Sequence, residues 1–588
     1  MSAPYTAALA DMQFLLEHVF DFEKALSGTS AAEVDLQTAF SVLEQGALFA
    51  TKVLAPASVT GDQIGSRFVD GAVVTPPGFK ECYQRYCADG WLGLDLPTEF
   101  GGQGLPLMIQ AGLAEMVTGS YMAFSMLTLQ GRSAARLLIG NAEPPVRDQL
   151  VPRLVSGQWA ATICITEPQA GSDVGRITTR ATRQGDGQWA LTGNKIFISY
   201  ADQDLTPQIL HMVLARTPGA PAGTRGLSLF IVPKFKLDAA WQPGERNPAR
   251  VMHIEHKMGL SASATCELSL DGAQGFMVGA EGQGLKVMFD MMNVMRLETG
   301  IQGVGVGAAA MAKALAYAAA RSQGGSPDAP PVPLTGHADI RRMLYTMRAR
   351  VEAMRAIMFE TALQLDLSHA AQDAATRETA REQVQWLLPI CKAFFTATGF
   401  EVANLAVQCH GGHGYIRETD VERHVRDLRV ASIYEGTNGI QGFDLVARKL
   451  IQDGGRRYRE FIRRIRADLA ATVGRAELQD IHRALDSAVS SVDRVTQRYL
   501  AQAPHQRRDA EAGAAAYLAL MGRVASGWMW LRMAAAAAQD LPLHRRKREL
   551  ARFYARYLMP EVLALEQQAG ASAAWIDGLD AETLVDYQ

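Results

Sequence analysis

A single carboxylate, Glu435, stands among small and polar residues in the segment I-Y-E-G-T-N-G-I-Q at 433–441. A long helical pattern precedes it, and the glycine cluster G-G-H-G at 411–414 lies between the two. A carboxylate near backbone that can approach a phosphate is suited to remove a proton beside a nucleotide cofactor. The nine residues by themselves favour a simpler interpretation, an exposed glutamate before a glycine turn.

A second candidate site follows a predicted strand, in the run C-I-T-E-P-Q-A-G-S-D-V-G at 164–175. Thr166 supplies a hydroxyl at the strand end, and the turn at 170–173 exposes backbone N–H groups and the hydroxyl of Ser172. Such a turn suits a phosphate or a flat polar ring. Taken alone, it fits an Asx-turn without function even better.

The strand K-I-F-I-S at 195–199 places Phe197 and Ser199 on the same face, two residues apart. An aromatic ring and a hydroxyl on one face could hold a planar cofactor. An ordinary half-buried strand explains the same pattern, and these residues alone favour it.

The run Q-C-H-G-G-H-G at 408–414 is predicted to end a helix, and its glycines would let backbone approach a pyrophosphate. Cys409, His410 and His413 have too few cysteine or carboxylate neighbours for a metal site. Arg321, near the end of another helix, suits bidentate phosphate contact, although the helix dipole alone would explain a basic residue there.

The run G-V-G-V-G at 303–307 has neither the spacing nor the preceding strand of a dinucleotide-binding turn. It predicts a close crossing of two helices instead.

Composition excludes several other classes of protein. The 588 residues are enough for three or four domains, and 58 Lys and Arg balance 61 Asp and Glu, so there is no basic footprint for nucleic acid. Six scattered cysteines form no C-x-x-C pair, which predicts free thiols in a reducing cytoplasm and no zinc clamp. The N-terminal residues do not have the pattern of a signal peptide.

The segment 514–538 is apolar, but Arg523 and Arg532 interrupt it. Because charges are costly within a bilayer, we expect a buried helix here rather than a membrane span.

The periodicity of apolar residues changes along the chain from helical to strand-like at about residue 159 and back at about 285. The predicted fold is therefore mainly α with a central β domain. We expect four domains, at 1–158, 159–280, 281–455 and 456–588, the last of them an additional helical block.

In this order, the segments resemble those of the acyl-CoA dehydrogenase family. The resemblance spans about residues 90 to 450 and is carried by four motifs, at 90–104, 164–175, 408–415 and 426–441. The block after about 456 resembles the long subgroup that includes 3-methylmercaptopropionyl-CoA dehydrogenases and the large bacterial fatty acyl-CoA dehydrogenases. The resemblance implies an N-terminal helical domain, an antiparallel β-barrel and a C-terminal four-helix bundle, followed by an extra helical domain.

The resemblance also implies an activity. Glu435 would remove the pro-R α-proton of an acyl-CoA thioester while N5 of the FAD flavin takes the β-hydride, giving a trans-2-enoyl-CoA. Electrons would pass to electron-transfer flavoprotein. An acyl-CoA oxidase, which uses oxygen, is the alternative, and a flavin-containing relative that binds nucleic acid is a remote one. A cytoplasmic homodimer without a membrane span is expected.

The family's other site residues can be placed by motif. Those expected to contact FAD are Thr166, Phe197, Ser199, Arg321, Gln408, Gly411, Gly412 and Thr437, with Arg321, Gln408 and Gly412 at its diphosphate or adenosine, across a dimer interface. Those expected to contact CoA are Ser172, Asn293 and Arg296. No metal is implied.

Four positions depart from patterns common in the family. Some relatives carry the base at the position of Met295, which has no carboxylate here; Glu298 lies three residues further on. Asn293 stands where several relatives have Asp, Phe197 where Trp is frequent, and Gly439 where a side chain often reaches FAD. Glu435 therefore has no competing base at position 295.

Overall fold

The computed structural model describes residues 4–185, 187–502, 507–580 and 582, without the side chain of residue 290. The chain divides into two compact units. We call Gln45–Glu298 the barrel unit, and Met1–Glu44 together with Thr299–Gln588 the helical unit.

The α-helices are mostly amphipathic or fully buried. In chain order they are α1 Leu9–Phe14, α2 Phe22–Leu26, α3 Leu36–Phe49, α4 Ala55–Ile64, α5 Phe79–Ala88, α6 Leu107–Asn141, α7 Pro144–Val155, α8 Gly284–Ala320, α9 Ala338–Ala370, α10 Ala374–His410, α11 Glu422–Leu428, α12 Asn438–Phe443, α13 Arg456–Ala471, α14 Gln479–Ala501, α15 Arg507–Ala536, α16 Pro542–Phe553, α17 Glu561–Ala569 and α18 Ala574–Asp577. Short π-helical and 3-10 turns join several of them, including Gly411–Tyr415 and Tyr554–Leu558.

The strands all lie in the barrel unit. They are β1 Arg67–Val69, β2 Ala72–Val74, β3 Ala160–Cys164, β4 Arg180–Arg183, β5 Gln188–Ser199, β6 Ile209–Arg216, β7 Leu227–Pro233, β8 Phe235–Leu237, β9 Pro243–Arg246, β10 Ala249–Ile254 and β11 Thr265–Val278. The pairs β1–β2 and β8–β9 form separate two-stranded sheets.

Five strands close into a ring, in the order β11, β5, β4, β6, β7 and back to β11. Inward-facing side chains such as Trp189, Leu191 and Phe230 fill its interior. A closed ring satisfies the backbone groups of its member strands without free edges, which is what defines a barrel.

Two pairings differ from the antiparallel pattern expected from the sequence, and the longer of them joins β3 in parallel to β6 over Ala160–Cys164. The single contact between β4 and β6, at Arg180 and Arg216, is also parallel. Parallel neighbours need a long crossover, and β4 and β5 occupy the stretch of chain between β3 and β6. Local alternation of apolar residues cannot show such a pairing.

The helical unit has no strand among its described residues, and its helices pack very closely at one point. A Cβ atom placed on Gly303 of α8 would lie 2.2 Å from the carbonyl oxygen of Phe395 in α10, and one on Gly399 would lie 2.3 Å from that of Gly303. The glycines at 303–307 therefore serve a helix crossing, and that prediction is confirmed.

The additional C-terminal helices are joined to the rest of the helical unit by buried ions. Lys547 of α16, which is fully buried, donates to Asp11 of α1 and, at 2.7 Å, to Glu352 of α9. Arg355 donates to Asp11 at 2.6 Å. Burial raises the pKa of Asp11, but the two cations lower it more, to about 2. The predicted class, mainly α with a central β-barrel and extra C-terminal helices, is confirmed.

Two helical stretches, Gly284–Ala320 and Ala374–Tyr415, are long and apolar enough to cross a membrane, but their apolar parts are largely buried inside the protein, as in core helices. The apolar segment at 514–538 lies mostly in α15, whose central residues are buried. All six cysteines lie in the described residues, and none forms a disulfide.

Candidate active site

The predicted site residues fall into two sets, one in each unit. The barrel unit carries Thr166, Ser172, Phe197, Ser199, Asn293 and Arg296, and the helical unit carries Arg321, Gln408, Gly411, Gly412, Glu435 and Thr437.

In the barrel unit, a buried carboxylate organises the turn that follows β3. Glu167 is 2% exposed, and its two oxygens accept six hydrogen bonds. Lys195 of β5 donates one of them at 2.8 Å, and the backbone N–H groups of Thr178 and Thr179 donate at 2.7 and 3.0 Å. The others come from both threonine hydroxyls and the amide of Gln169. We call this group the Glu167 hub.

The buried ion pair between Glu167 and Lys195 is stabilised by hydrogen bonds to backbone and side-chain groups around it. Burial raises the pKa of Glu167, but Lys195 and the hydrogen bonds lower it more, to about 2. Lys195 is fully buried and also donates to the carbonyl oxygens of Ile165, at 3.0 Å, and Leu214, at 2.8 Å. A buried pair with every donor and acceptor engaged fixes the relative position of the strands that carry it.

The hub and α6 hold Thr166 beside β5. The backbone N–H of Ile196 donates to the carbonyl oxygen of Thr166 at 2.9 Å. Gln130 of α6 accepts from the N–H of Ile163 at 3.2 Å and donates to the carbonyl oxygen of Ser199 at 3.2 Å. The structure thus brings Thr166 and Ser199 to neighbouring strand ends. Gln130 and the hub were not predicted as site residues.

Phe197 sits at an irregularity of β5. The register between β5 and β11 shifts between Lys195 and Ile198. Two residues of β5 there oppose one residue of β11, as in a β-bulge. Phe197 has a φ of +59°, in the left-handed region, and its side chain is 60% exposed while that of Ile198 is buried. A bulge that turns a large aromatic side chain outward marks a functional position more often than a packing one.

The predicted CoA contacts lie elsewhere in the barrel unit. Ser172 is exposed on the turn after the hub. Asn293 and Arg296 lie one turn apart on α8; Asn293 is half-buried, and Arg296 is 8% exposed with its guanidinium 5.7 Å from the ring centroid of Phe289.

The two residues near Asn293 that could compete as a base are both excluded. Met295 is buried in the apolar core and has no carboxylate. Glu298 forms an ion pair with Arg132 of α6, which also donates to Asp95 at 2.7 Å. Burial raises the pKa of Asp95, but the opposite effect of Arg132 and Arg136 is larger, and the pKa falls to about 2. Glu298 is thus part of a structural ion network.

In the helical unit, Glu435 lies in the loop before α12 with a φ of +55°, a conformation that costs a non-glycine residue roughly 1–2 kcal/mol. It is half-buried. The fully buried side chain of Gln441 donates to its carbonyl oxygen at 3.2 Å. Strain that the surroundings maintain is characteristic of catalytic positions.

The residues after Glu435 attach the loop to α10. Thr437 caps α12 by accepting from the N–H of Ile440 at 3.3 Å. The side chain of Asn438 accepts from Lys392 at 3.1 Å and donates to the carbonyl oxygen of Ala393 at 3.2 Å. We call Tyr434 to Gln441 the base loop.

On the other side of Glu435, the hydroxyl of Tyr434 donates to Gln302 at 2.5 Å. Burial raises the pKa of Tyr434, and the neighbouring charge of Glu435 adds to the effect. Tyr434 therefore stays a neutral hydrogen-bond donor beside the candidate base.

The expected diphosphate contacts lie at two adjoining helix ends of the helical unit. Tyr317 of α8, one turn before Arg321, stacks on His410 with ring centroids 4.4 Å apart, and its hydroxyl lies 3.1 Å from Nδ1 of His413. This contact places the end of α8 beside the segment with Gly411 and Gly412. Arg321 and Gln408 are both exposed.

The two sets of residues suit FAD. The hydroxyls of Thr166 and Ser199 make no hydrogen bond within the described part of the chain and remain available for a polar ring edge. A Cβ atom on Gly411 or Gly412 would meet nothing within 4 Å, so their backbone is open to a ligand. Within the barrel unit, hydroxyl donors and an exposed aromatic ring suit the ring of a flavin. Within the helical unit, an exposed arginine and open glycine backbone suit a diphosphate.

Four models of protein families match the chain. They are "Acyl-CoA dehydrogenase, N-terminal domain" at 69–158, "Acyl-CoA dehydrogenase, middle domain" at 162–273, "Acyl-CoA dehydrogenase, C-terminal domain" at 282–451 and "Acetyl-CoA dehydrogenase C-terminal like" at 461–576.

Whole relatives match over nearly the same length. The 3-methylmercaptopropionyl-CoA dehydrogenase of Ruegeria pomeroyi is 39% identical over 543 residues, which cover 91% of this chain and 92% of that protein. Caenorhabditis elegans ACDH-11, solved in complex with C11-CoA, superposes with a TM-score of 0.83 at 18% identity and covers 100% of this chain and 96% of its own. An acyl-CoA dehydrogenase from Bacillus anthracis complexed with FAD has a TM-score of 0.76 at 20% identity, covering 95% and 92%.

The chain belongs to the acyl-CoA dehydrogenase family, whose members are FAD-dependent oxidoreductases acting on acyl-CoA. Within the family, the match at 461–576 and the similarity to the Ruegeria enzyme bear out the resemblance to the long subgroup.

Proposed function

We propose that the protein converts an acyl-CoA thioester to the trans-2-enoyl-CoA, with Glu435 as the base that removes the α-proton. The observation that carries the proposal is the base loop, in which buried Gln441 and half-buried Asn438 hold the backbone, and Glu435, itself half-buried, has a left-handed backbone conformation. A carboxylate with a fixed direction is what stereospecific proton removal requires.

The other proposed site residues would bind FAD and the CoA part of the substrate. FAD, when bound, supplies the two-electron acceptor for the β-hydride. Thr166 and Ser199 would donate to the polar edge of its ring, and Phe197 would pack on the ring. Arg321, Gln408, Gly411 and Gly412 would hold the diphosphate or adenosine, and Thr437 would contribute from the base loop. Ser172, Asn293 and Arg296 would contact CoA.

The backbone N–H of Glu435 would donate to the thioester carbonyl. Negative charge develops on that oxygen as the α-proton leaves, so the donor would stabilise the enolate-like transition state more than the ground state.

The direct test replaces the carboxylate alone. In Glu435→Gln, an isosteric change, we expect FAD to stay bound and the rate of flavin bleaching by acyl-CoA to fall by about 10²–10⁴-fold, the usual contribution of a general base. Glu418→Gln, which changes an exposed residue of the same unit, is the matched control. If Glu435→Gln is bleached at the original rate, Glu435 is not the base that removes the α-proton.

We further propose electron-transfer flavoprotein as the electron acceptor. The rival, an oxidase, performs the same half-reaction with oxygen. Turnover with electron-transfer flavoprotein, measured alongside peroxide yield, separates the two. High peroxide yield without reduction of the flavoprotein would favour the oxidase.

The acyl group is proposed only as a class, an apolar chain. The similarity to the Ruegeria enzyme makes 3-methylmercaptopropionyl-CoA the first compound to test. Bleaching rates for that thioester and for straight-chain acyl-CoAs of increasing length, under identical conditions, give the preference directly.

We also propose a cytoplasmic homodimer. Large apolar side chains are exposed beside the expected diphosphate contacts and in and beside the base loop: Tyr415 is 87% exposed, and Ile416, Ile433 and Ile440 are exposed as well. Apolar surface of this kind is usually covered by a partner. Six unpaired cysteines fit a reducing compartment. Light scattering of the FAD-loaded protein tests the dimer, and a monomer would contradict it.

A further inference from the structure

A cavity of about 370 Å³ lies in the helical unit, away from the base loop. It is bordered by α9, α10, the turn Tyr554–Leu558 and Glu561 of α17, so the additional C-terminal helices form one of its walls. Its volume falls within the range of small-molecule sites, about 300–1,000 Å³. We call it the arginine cavity.

Its wall carries a guanidinium with unused hydrogen-bonding capacity. The side chain of Arg350 is 10% exposed; it donates to Glu401 at 2.6 Å and to Glu561 at 3.4 Å, while its buried Nε has no partner among the described residues. A buried donor left without a partner costs free energy, and a bound acceptor would recover it.

A second arginine adds to the positive charge. Arg523 of α15, whose side chain is 8% exposed, pairs with Glu561 and stacks on Phe394 at 5.3 Å. Its Nε and Nη1 are buried and find no partner in the part of the chain that the structure describes. Arg350 and Arg523 therefore share one carboxylate.

The two carboxylates that pair with these two arginines are more exposed to water than the arginines are. Glu401 and Glu561 have side chains 53% and 39% exposed, so their charges are partly screened by water while those of the arginines are not. Burial lowers the pKa of Arg350, and the charge of Arg523 lowers it further, against the opposite effect of the two glutamates. The positive charges of this cluster are therefore buried, and its negative charges lie closer to water.

Polar and aromatic groups complete the wall. Thr346 and Asn404 offer further donors, whereas Arg342 is already paired with Asp339 at 2.8 Å. Tyr557, 60% exposed, presents a ring that stacks on Phe553 at a centroid distance of 4.6 Å. Guanidinium groups pair with phosphate oxygens in a bidentate geometry, and an exposed ring beside them offers a flat surface to an organic group.

We propose that the arginine cavity is an oxyanion site that binds a phosphate group, either as free phosphate or as part of a small phosphate ester. Arg350 supplies the principal contact, Arg523 supports its charge, and Tyr557 contacts the organic part of an ester. The site would join the additional C-terminal helices to α10, on which Asn404 lies one turn before Gln408.

The test uses the full-length, FAD-loaded protein and two probes, inorganic phosphate and adenosine 5′-monophosphate, titrated by calorimetry at constant ionic strength set with chloride. Saturable binding is expected, and Arg350→Gln should weaken it at least about tenfold, which corresponds to 1.4 kcal/mol. Arg494→Gln, an exposed arginine in the same unit paired with Glu566, should bind as the parent does.

Asn404→Asp provides a second variant, because Asn404 is exposed and the substitution adds a negative charge without changing shape. It should also weaken binding of both probes. Tyr557→Ala should weaken the ester alone, and if the ester binds no better than inorganic phosphate, free phosphate is the ligand. Absence of saturable binding of both probes, or unchanged affinity in Arg350→Gln and Asn404→Asp, would overturn the proposal, whatever the outcome at Glu435.

Discussion

Phe197, which we propose as a flavin contact in the barrel unit, and Glu435, in the base loop of the helical unit, are both non-glycine residues in the left-handed region, but their surroundings hold them in different ways. Phe197 follows a fully buried lysine whose partner, Glu167, accepts six hydrogen bonds. In the base loop, the side chain of Gln441 donates to the carbonyl oxygen of Glu435 and that of Asn438 donates to the carbonyl oxygen of Ala393, each at 3.2 Å. The first arrangement rests on a buried ion pair, and the second includes hydrogen bonds from two amide side chains.

The difference follows from what each region must do. A planar cofactor needs a surface that does not change, and a buried ion pair with all its groups satisfied provides one. A base needs a backbone that holds its carboxylate in one place, and in the base loop the amide side chains of Gln441 and Asn438 hold the backbone by hydrogen bonds.

Glu167→Gln should give the largest change in stability. It keeps the shape of the hub but leaves the ammonium of Lys195 buried without a counter-charge, which costs about 3–5 kcal/mol. Urea denaturation of the apoprotein and the amount of FAD retained measure the loss. Glu245→Gln, in the exposed pair with Lys236 of the same unit, should change stability far less, because water screens an exposed ion pair. If the two substitutions lower the free energy of unfolding equally, the Glu167 hub does not stabilise the fold more than an exposed ion pair does.

Acid should disrupt the ion pair of the Glu167 hub before it affects the hydrogen bonds that the amides of Gln441 and Asn438 donate in the base loop. The pKa of Glu167 is about 2 in the folded protein and 4.5 ordinarily, so its stabilisation is present above pH 4.5 and is lost as the pH falls through about 2. The shift corresponds to on the order of 3 kcal/mol. Unfolding free energies measured across this range should depend less on pH in Glu167→Gln than in the parent; parallel curves would contradict the assignment.

Asn438→Ala should separate activity from stability. It removes three hydrogen bonds between the base loop and α10, so we expect turnover to fall by about 10–100-fold through misplacement of Glu435, with FAD still bound. Ser490→Ala, on an exposed face of α14, controls for the removal of a polar side chain in the same unit. Loss of FAD without a change in the turnover of the loaded enzyme would show that Asn438 supports the cofactor rather than the base.

Thr437→Ala should have the smallest effect on stability. Loss of the cap of α12 costs about 0.5–2 kcal/mol. Thr437→Ser, which keeps the hydroxyl, should restore most of it. Thermal unfolding of the two variants measures the difference, and identical melting temperatures would show that the cap does not stabilise α12.

Sequence reasoning proposed site residues that belong to compact motifs, such as Glu435, Thr166 and Gly412, because each motif carries its signal within a few positions. It did not find the Glu167 hub, although one signal was readable: Lys195 is an even number of residues away from Trp189 and Leu191 in β5, so all three side chains point to the same, inward face of the strand. The sequence therefore places a charge on the inward face. A lysine there requires a buried carboxylate, and Glu167 was the acid in the adjacent motif.

Other features could not be read from the sequence because they depend on distant pairings. The bulge at Phe197 exists only against β11, and the parallel neighbour of β3 is set by the closure of the ring. The ion pair between Arg132 and Glu298 joins residues 166 positions apart. The boundaries of the four predicted domains and the individual ligand contacts remain predictions.

The contact between Asp11 and Lys547 has a consequence for how the chain is made. The two residues are 536 positions apart, and both are buried in the finished protein. During synthesis the ribosome releases Asp11 long before its lysine exists, so the first helix cannot settle into its final place until translation is nearly complete. A chain cut short before α16 would leave Asp11 and Glu352 without this cation, a defect that cellular quality control can recognise.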